Sequence, residues 1–393
     1  MIKKLIKVTS GALVGQLILF LAIPIVSRLY ATSDFGEFAL YISIVNILVT
    51  IVSFKSDVIF LKVKSDRFVY GFLLLLFLFF VFLSFFSAVF FASIFVFVLG
   101  VVVNCIFILG YIRLISIDKF FHVNVNRIIY PLLVVVFQIL LSNQNYFENG
   151  LIIAQISSGV IISLSLMYNL QVKFSVVNTV RSIKYTLLVI RRYINIGVSG
   201  TISSFVSSLS INSTPIIISY IYGAHLLGVY SMMMRLLQTP ATVLLKPLSD
   251  IYLTDFSINR NINRLFRFSF LVLALSLMVC IVLNLFIDAL VHFALGAQWL
   301  EVADYTKYMV VLVCFQLAFS PYTQILNFIE KGASLVSYEL MRMGLITVGT
   351  VICYLNEFSI TTFFIVINLS YITYYMAVVF KVYSEGRKGF AQV

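Results

Sequence analysis

Phe72-Leu73-Leu74-Leu75-Leu76-Phe77-Leu78-Phe79-Phe80-Val81-Phe82-Leu83-Ser84-Phe85-Phe86 is the stretch that decides the fold. It carries no charge and no alternation of apolar with polar side chains. A strand of a membrane barrel alternates with a period of two, so this run reads as helix. The wider stretch from Val69 to Tyr111 has 43 residues. At ~1.5 Å per residue that is about 65 Å of helix, against a hydrocarbon core about 30 Å thick. The segment therefore crosses a membrane twice, and the turn is expected near Ser84 to Ser87.

The remainder of the 393-residue chain has the same character, with 62% hydrophobic and 11% charged residues and a mean hydropathy of +1.08. A soluble domain carries about 25% charged residues, so no sizeable soluble domain can be built from what remains. Spans are expected at about 8–28, 36–54, 69–87, 89–111, 123–141, 149–169, 196–221, 226–249, 268–287, 306–328, 334–354 and 359–380. The expected fold is an all-α integral membrane protein of 12 transmembrane helices. Lys3-Lys4 before an apolar run resembles a signal peptide, but no small-x-small cleavage site follows, so an uncleaved first helix is expected.

The net charge of +12 would suggest nucleic acid in a soluble protein. In a membrane protein, basic residues collect on cytoplasmic loops instead, and no nucleic-acid partner is expected. Lys3, Lys4 and Lys7, the loops after spans 2, 4, 6, 8 and 10, and the tail together hold 23 of the 27 Lys and Arg residues. The opposite loops hold Asp34, Glu37, Glu148, Asp288, Glu301, Asp304 and Glu357, with Arg28 and Lys307 as their basic members. One missed span would reverse every later loop, so this alternation predicts both termini in the cytoplasm. Cys105, Cys280, Cys314 and Cys353 lie inside apolar runs without CxxC spacing, and the three histidines are scattered. With no HExxH, GxSxG or Walker pattern, no metal, cofactor or ATP hydrolysis is expected.

The two halves resemble one another. Gly36-Glu37-Phe38 and Gly228-Val229-Tyr230 are offset by 192 residues, and Ser56-Asp57-Val58-Ile59-Phe60 and Ser249-Asp250-Ile251-Tyr252-Leu253 by 193. Six spans per half, both starting on the cytoplasmic side, give a parallel repeat about a pseudo-two-fold axis along the membrane normal. The expected organisation is an N-lobe over 1–170, a cytoplasmic linker over 171–195 and a C-lobe over 196–393. Two six-helix lobes with a cavity between them suggest a transporter rather than an enzyme.

An ionisable side chain at the bilayer centre costs at least about 2.5–3.5 kcal/mol and is a functional candidate by default. Arg235, about nine residues into span 8, is the clearest, with Gln238 one turn on. A structural arginine bonded to carbonyls of a neighbouring helix is its rival reading. Arg28 closes span 1, where snorkelling to the interface competes. Arg342 lies in span 11 with Glu339 at i−3, so a local ion pair competes there. Asp57 and Asp250 suit helix termination or lobe closure better than substrate contact. Gln16, Asn46 and Asn212 are further candidates for lining a cavity. The serines and threonines of span 7 serve helix packing equally well, and the Tyr and Phe excess reads mostly as lipid-facing bulk. More buried cations than anions point to an anionic substrate, and the planar arginine fork matches phosphate oxygens.

Pro24-Ile25-Val26-Ser27-Arg28-Leu29-Tyr30 followed by Asp34-Phe35-Gly36-Glu37-Phe38-Ala39-Leu40 resembles the first hairpin of Wzx-type O-antigen flippases. These belong to the multidrug/oligosaccharidyl-lipid/polysaccharide exporter superfamily. Gly228-Val229-Tyr230 with Arg235-Leu236-Leu237-Gln238-Thr239-Pro240 resembles the start of their eighth helix. The resemblance implies translocation of an undecaprenyl-pyrophosphate-linked oligosaccharide to the periplasmic leaflet of the bacterial inner membrane, as in lipopolysaccharide O-antigen biosynthesis. It also implies membrane lipid as a partner, and a polymerase and chain-length regulator of the same pathway. The related lipid II flippases require an arginine in the stretch matching Arg235, but they have fourteen helices and a denser cationic set in helices 1 and 2. The alternatives are a drug/cation antiporter of the same fold, which would call for a buried acid in spans 1 to 6, and an O-antigen polymerase, which would call for a large outer loop.

Overall fold

The computed structural model describes residues 2–90, 92–142, 149–170, 176–259, 262–330 and 333–389. Glu148, Lys173, Arg260 and Lys331, counted above among loop charges, lie outside them. Regular structure among the described residues is helical throughout. The first half contains α1 (Ile2–Val26), α2 (Thr32–Val52), the short α3 (Ser56–Val63), α4 (Asp66–Phe90), α5 (Ala92–Ser116), α6 (Phe120–Leu141) and α7 (Gly150–Asn169). After α8 (Val176–Arg192) come α9 (Ile194–Asn259), α10 (Ile262–Leu295), α11 (Leu300–Phe319), the short α12 (Pro321–Glu330), α13 (Ala333–Leu355) and α14 (Ile360–Gly389).

Helices form because the hydrocarbon core offers no water to satisfy backbone groups, and a helix satisfies its own. Ends are set by specific side chains. Asn149 caps α7 by accepting from the backbone N–H of Leu151 at 3.1 Å and of Ile152 at 3.4 Å. Asp34 in the first turn of α2 accepts from the Ala31 N–H at 2.9 Å, where negative charge also suits the helix N-terminus. Asp66 opens α4 and pairs at 2.5 Å with Arg113 in the last turn of α5, closing that hairpin on its basic side. Lys307 lies 3.9 Å from Asp288 and 3.6 Å from Asp304 on the acidic side.

Among the described residues ten helices are long and apolar enough to cross a membrane, with a shorter apolar stretch at Ser10–Val26; with α9 counted as two arms, the twelve expected spans correspond to α1, α2, α4, α5, α6 and α7, then the two arms of α9, α10, α11, α13 and α14. The arms of α9 meet at Gly223, whose φ of 86° and ψ of 173° no L side chain adopts readily. Two boundaries differ from expectation. α4 runs on through Ser84 and Ser87 to Phe90, and α5 starts at Ala92. Serine is no helix breaker where the backbone has no water to turn towards. The tenth span ends at Phe319, and Pro321 opens α12 at a first-turn position where its missing N–H costs nothing.

Two compact units emerge, one of residues 1–30 and 37–208, the other of 31–36 and 209–393. Within the first, α1 packs on α6, α4 on α5, α5 on α7 and α6 on α7. Within the second, α10 packs on α11, α11 on α14 and α13 on α14, and Ser210 on the first arm of α9 bonds Arg342 on α13. Counted by span, both units pack third with fourth, fourth with sixth and fifth with sixth, and first meets fifth through α1 and α6 in the first unit and through Ser210 and Arg342 in the second. Repeat-equivalent positions share their burial too, since Ser56 and Ser249 are buried, as are Ile59 and Tyr252. The halves diverge between those matches. Phe54 and Lys55 adopt left-handed φ values of 45° and 50° and separate α2 from α3, whereas α9 continues straight through Ser249.

Each unit carries its own core. Phe68, Phe72, Leu109 and Leu166 are buried in the first; Tyr252, Phe319, Tyr322 and Val378 in the second. The outer faces are apolar and open, as lipid contact requires. Phe82 is 70% and Leu285 76% exposed.

Candidate substrate site

In the second unit the first turns of α2 and of the second arm of α9 cross at the limit of backbone approach. A Cβ built on Gly36 would stand 1.9 Å from the Ala224 carbonyl oxygen, and one on Gly228 would stand 1.8 Å from that of Thr32. The contact is reciprocal, because Thr32 and Ala224 stand at the same offset of 192 residues as Gly36 and Gly228. Only glycine permits it at either position.

This crossing fixes Phe35, one residue before Gly36. Phe35 and Trp299 are fully buried and meet edge to face, their centroids 5.1 Å apart at 86°. Trp299 is held by the 3-10 turn Ala297–Trp299, which follows Gly296 at φ 100°. The Arg235 guanidinium carbon lies 5.5 Å from the Phe35 centroid, over the ring, where the negative face of the π-system attracts a cation. Arg235 and Gln238 are half-buried on the second arm of α9. The cluster is thus an arginine laid on an aromatic wall, about three turns into its helix arm. Its planar fork of five donors is suited to phosphate oxygens.

Arg342 sits in a different setting. It is 3% exposed, and its Nε donates to Ser210 Oγ at 2.9 Å. Its Nη2 pairs with the Glu339 carboxylate, and its guanidinium carbon lies 4.6 Å and 4.7 Å from the Tyr371 and Tyr374 ring centroids. The Tyr374 hydroxyl donates to Glu339 at 3.0 Å. This network ties the first arm of α9 to α13 and α14, and the charge is compensated within it. Asn212 is half-buried, two residues beyond Ser210.

Of the candidates in the first unit, Gln16 on α1, Arg28 just beyond α1 and Asn46 on α2 are all exposed. The Asn46 backbone carbonyl accepts from Ser208 Oγ at 3.2 Å. The structure therefore joins Arg235 to Phe35, which meets Trp299, and Arg342 to Ser210, Glu339, Tyr371 and Tyr374. Gln16, Arg28 and Asn46 belong to the first unit, and Asn212, Arg235, Gln238 and Arg342 to the second. Reading the Tyr and Phe excess as lipid-facing bulk passes over Phe35, Tyr371 and Tyr374. Two signals are present in the sequence: the chain's single tryptophan three residues after a glycine, and Tyr371 and Tyr374 at i,i+3 on one helix face. Among the described residues no three His, Cys, Asp or Glu side chains come together to hold a metal ion.

No protein-family profile and no curated protein matches the sequence. Solved structures do match. The lipid II flippase MurJ in an inward closed conformation has a TM-score of 0.75 at 12% identity, covering 97% of this chain and 87% of that one. An inward-facing multidrug resistance MATE family transporter of the MOP superfamily has a TM-score of 0.66 at 13% identity, covering 97% and 94%. A MOP superfamily transporter from Pyrococcus furiosus has a TM-score of 0.59 at 14% identity, covering 98% and 96%. At such identities the likeness is one of fold. The chain is a multi-pass membrane protein with the all-helical fold of MOP-superfamily transporters.

Proposed function

We propose that the protein is a flippase of the bacterial inner membrane, moving an undecaprenyl-pyrophosphate-linked oligosaccharide from the cytoplasmic to the periplasmic leaflet by alternating access. The observation that carries the reading is Arg235, set on the buried Phe35–Trp299 pair in a fold shared with a lipid II flippase. An arginine within a span is a functional candidate by default, and its planar fork suits the oxygens of a pyrophosphate headgroup. The headgroup passes through the protein while the polyprenyl tail stays in lipid. Arg342 serves as a structural tie in this scheme, and Arg235 as the phosphate-binding residue. A cation exporter would call for an uncompensated acid, whereas Glu339, in the body of α13, is paired with Arg342.

Deleting the gene tests this. Surface polysaccharide should be lost while undecaprenyl-linked repeat units accumulate on the cytoplasmic face. Single units reaching the surface, with only long chains missing, would point to a polymerase. Normal polysaccharide with altered drug tolerance would point to a drug antiporter.

A further inference from the structure

The segment expected as a plain cytoplasmic linker contains α8, and α8 has three distinct faces. Ser182, Thr186 and Val189, at i, i+4 and i+7, are buried. They turn towards α4, where a Cβ on Gly71 would stand 2.1 Å from Thr186 Oγ1 and 2.4 Å from the Ser182 carbonyl. The Thr186 hydroxyl donates to the Phe68 carbonyl at 3.3 Å. A second stripe is apolar and open, with Val180 54% and Leu187 51% exposed and Ile183 and Ile190 half-buried between them and the α4 face. The third stripe is basic. Arg181, Lys184, Arg191 and Arg192 are all exposed, with Leu188 among them, and no acidic residue occurs anywhere in α8.

A helix clamped to a transmembrane span by one face, with an apolar stripe beside a basic one, is shaped for the plane where acyl chains meet headgroups. It lies between the end of α7 and the start of α9, on the side where the chain's basic residues collect, which is the side expected to face the anionic leaflet. We propose that α8 is a binding site for anionic phospholipid headgroups, with Arg181, Lys184, Arg191 and Arg192 holding lipid phosphate and Val180 and Leu187 lying on the acyl chains. The site is separate from Arg235 and does not depend on the substrate assigned to the protein.

The test uses the full-length protein in detergent, titrated with phosphatidylglycerol or phosphatidylcholine, with bound lipid counted by native mass spectrometry. The wild type should retain phosphatidylglycerol in preference to phosphatidylcholine. Each basic side chain near an anionic surface is worth about fivefold in affinity, so Arg191→Gln/Arg192→Gln should weaken phosphatidylglycerol roughly twenty-five-fold and leave phosphatidylcholine unchanged. Arg191→Lys/Arg192→Lys keeps the charge and should bind as the wild type does. Val180→Ser/Leu187→Ser should weaken both lipids. All variants are compared at equal melting temperature and monodispersity. Equal retention of the two lipids overturns the proposal, as does undiminished binding by the Gln variant or equal loss in the Lys variant. Displacement of phosphatidylglycerol by millimolar inorganic pyrophosphate would also overturn it, by showing a site for free phosphate rather than lipid.

Discussion

Two arginines inside the spans have different surroundings. Arg342 pairs with the Glu339 carboxylate and donates to the Ser210 hydroxyl, and Arg235 lies over the Phe35 ring. Arg235→Ala should abolish translocation while the protein still inserts and folds. Losing charge-assisted hydrogen bonds worth about 1.5–3 kcal/mol each predicts a drop of at least tenfold. Arg235→Lys should keep part of the activity, because the charge survives and the fork does not. The readout is surface polysaccharide per unit of inserted protein, and a normal ratio for the alanine variant would end the assignment. The Arg342 network predicts the reverse profile. Breaking one partner of a buried pair costs about 3–5 kcal/mol, so Glu339→Gln or Arg342→Met should lower the melting temperature in detergent sharply. Glu339→Gln/Arg342→Met should recover much of that loss, since no lone charge remains; a double variant as unstable as the worse single one would contradict the pairing. Charge depth was legible in the sequence, and so was the i−3 relation of Glu339 to Arg342. What sits opposite each arginine was not, because Phe35, Trp299, Ser210 and Tyr371 come from distant helices and carry no signal of pairing.

At the scale of the helices, hydropathy located the spans because each must cover about 30 Å of hydrocarbon, and that demand tolerates few polar residues. It failed where the boundary is not a matter of polarity. Ser84 and Ser87 did not mark the turn, and Pro321 divides a continuous apolar run. α8 was unreadable as an apolar segment because its apolar residues occupy two faces and basic residues the third. The glycine crossing was visible as a repeated tripeptide, but its closeness was not. Gly36→Ala and Gly228→Ala should each lower thermal stability, by about 1–3 kcal/mol as overpacking does. Gly344→Ala is the control: its Cβ meets nothing within 4 Å, so the substitution should be neutral or stabilising. Once the first methyl has parted the two segments, the second has less to displace, so Gly36→Ala/Gly228→Ala should cost less than the two single losses added. Additive losses would show that the two positions do not share one contact.

At the scale of the whole chain, the alternation of basic and acidic loops gives a direct topological expectation. In a variant lacking the four native cysteines, single cysteines at 225, 298 and 357 should react with a membrane-impermeant maleimide from outside, and those at 64, 184 and 264 should react only after permeabilisation. A reversed pattern at the middle positions would remove the twelve-span arrangement. The repeat was legible as matched glycines and a matched Ser-Asp pair, and shared helix pairings now support it. The sequence could not show that the compact units fail to follow the halves: residues 31–36 group with 209–393, while 194–208 stay with the first unit. The chain therefore passes from one unit to the other three times, and no single cut can hand back both units whole. A fragment ending anywhere before α9 would lack the start of that helix and would still hold six residues that its counterpart needs. Folding is then a bargain that neither unit can complete alone, and heat should melt the protein in one cooperative step rather than lobe by lobe.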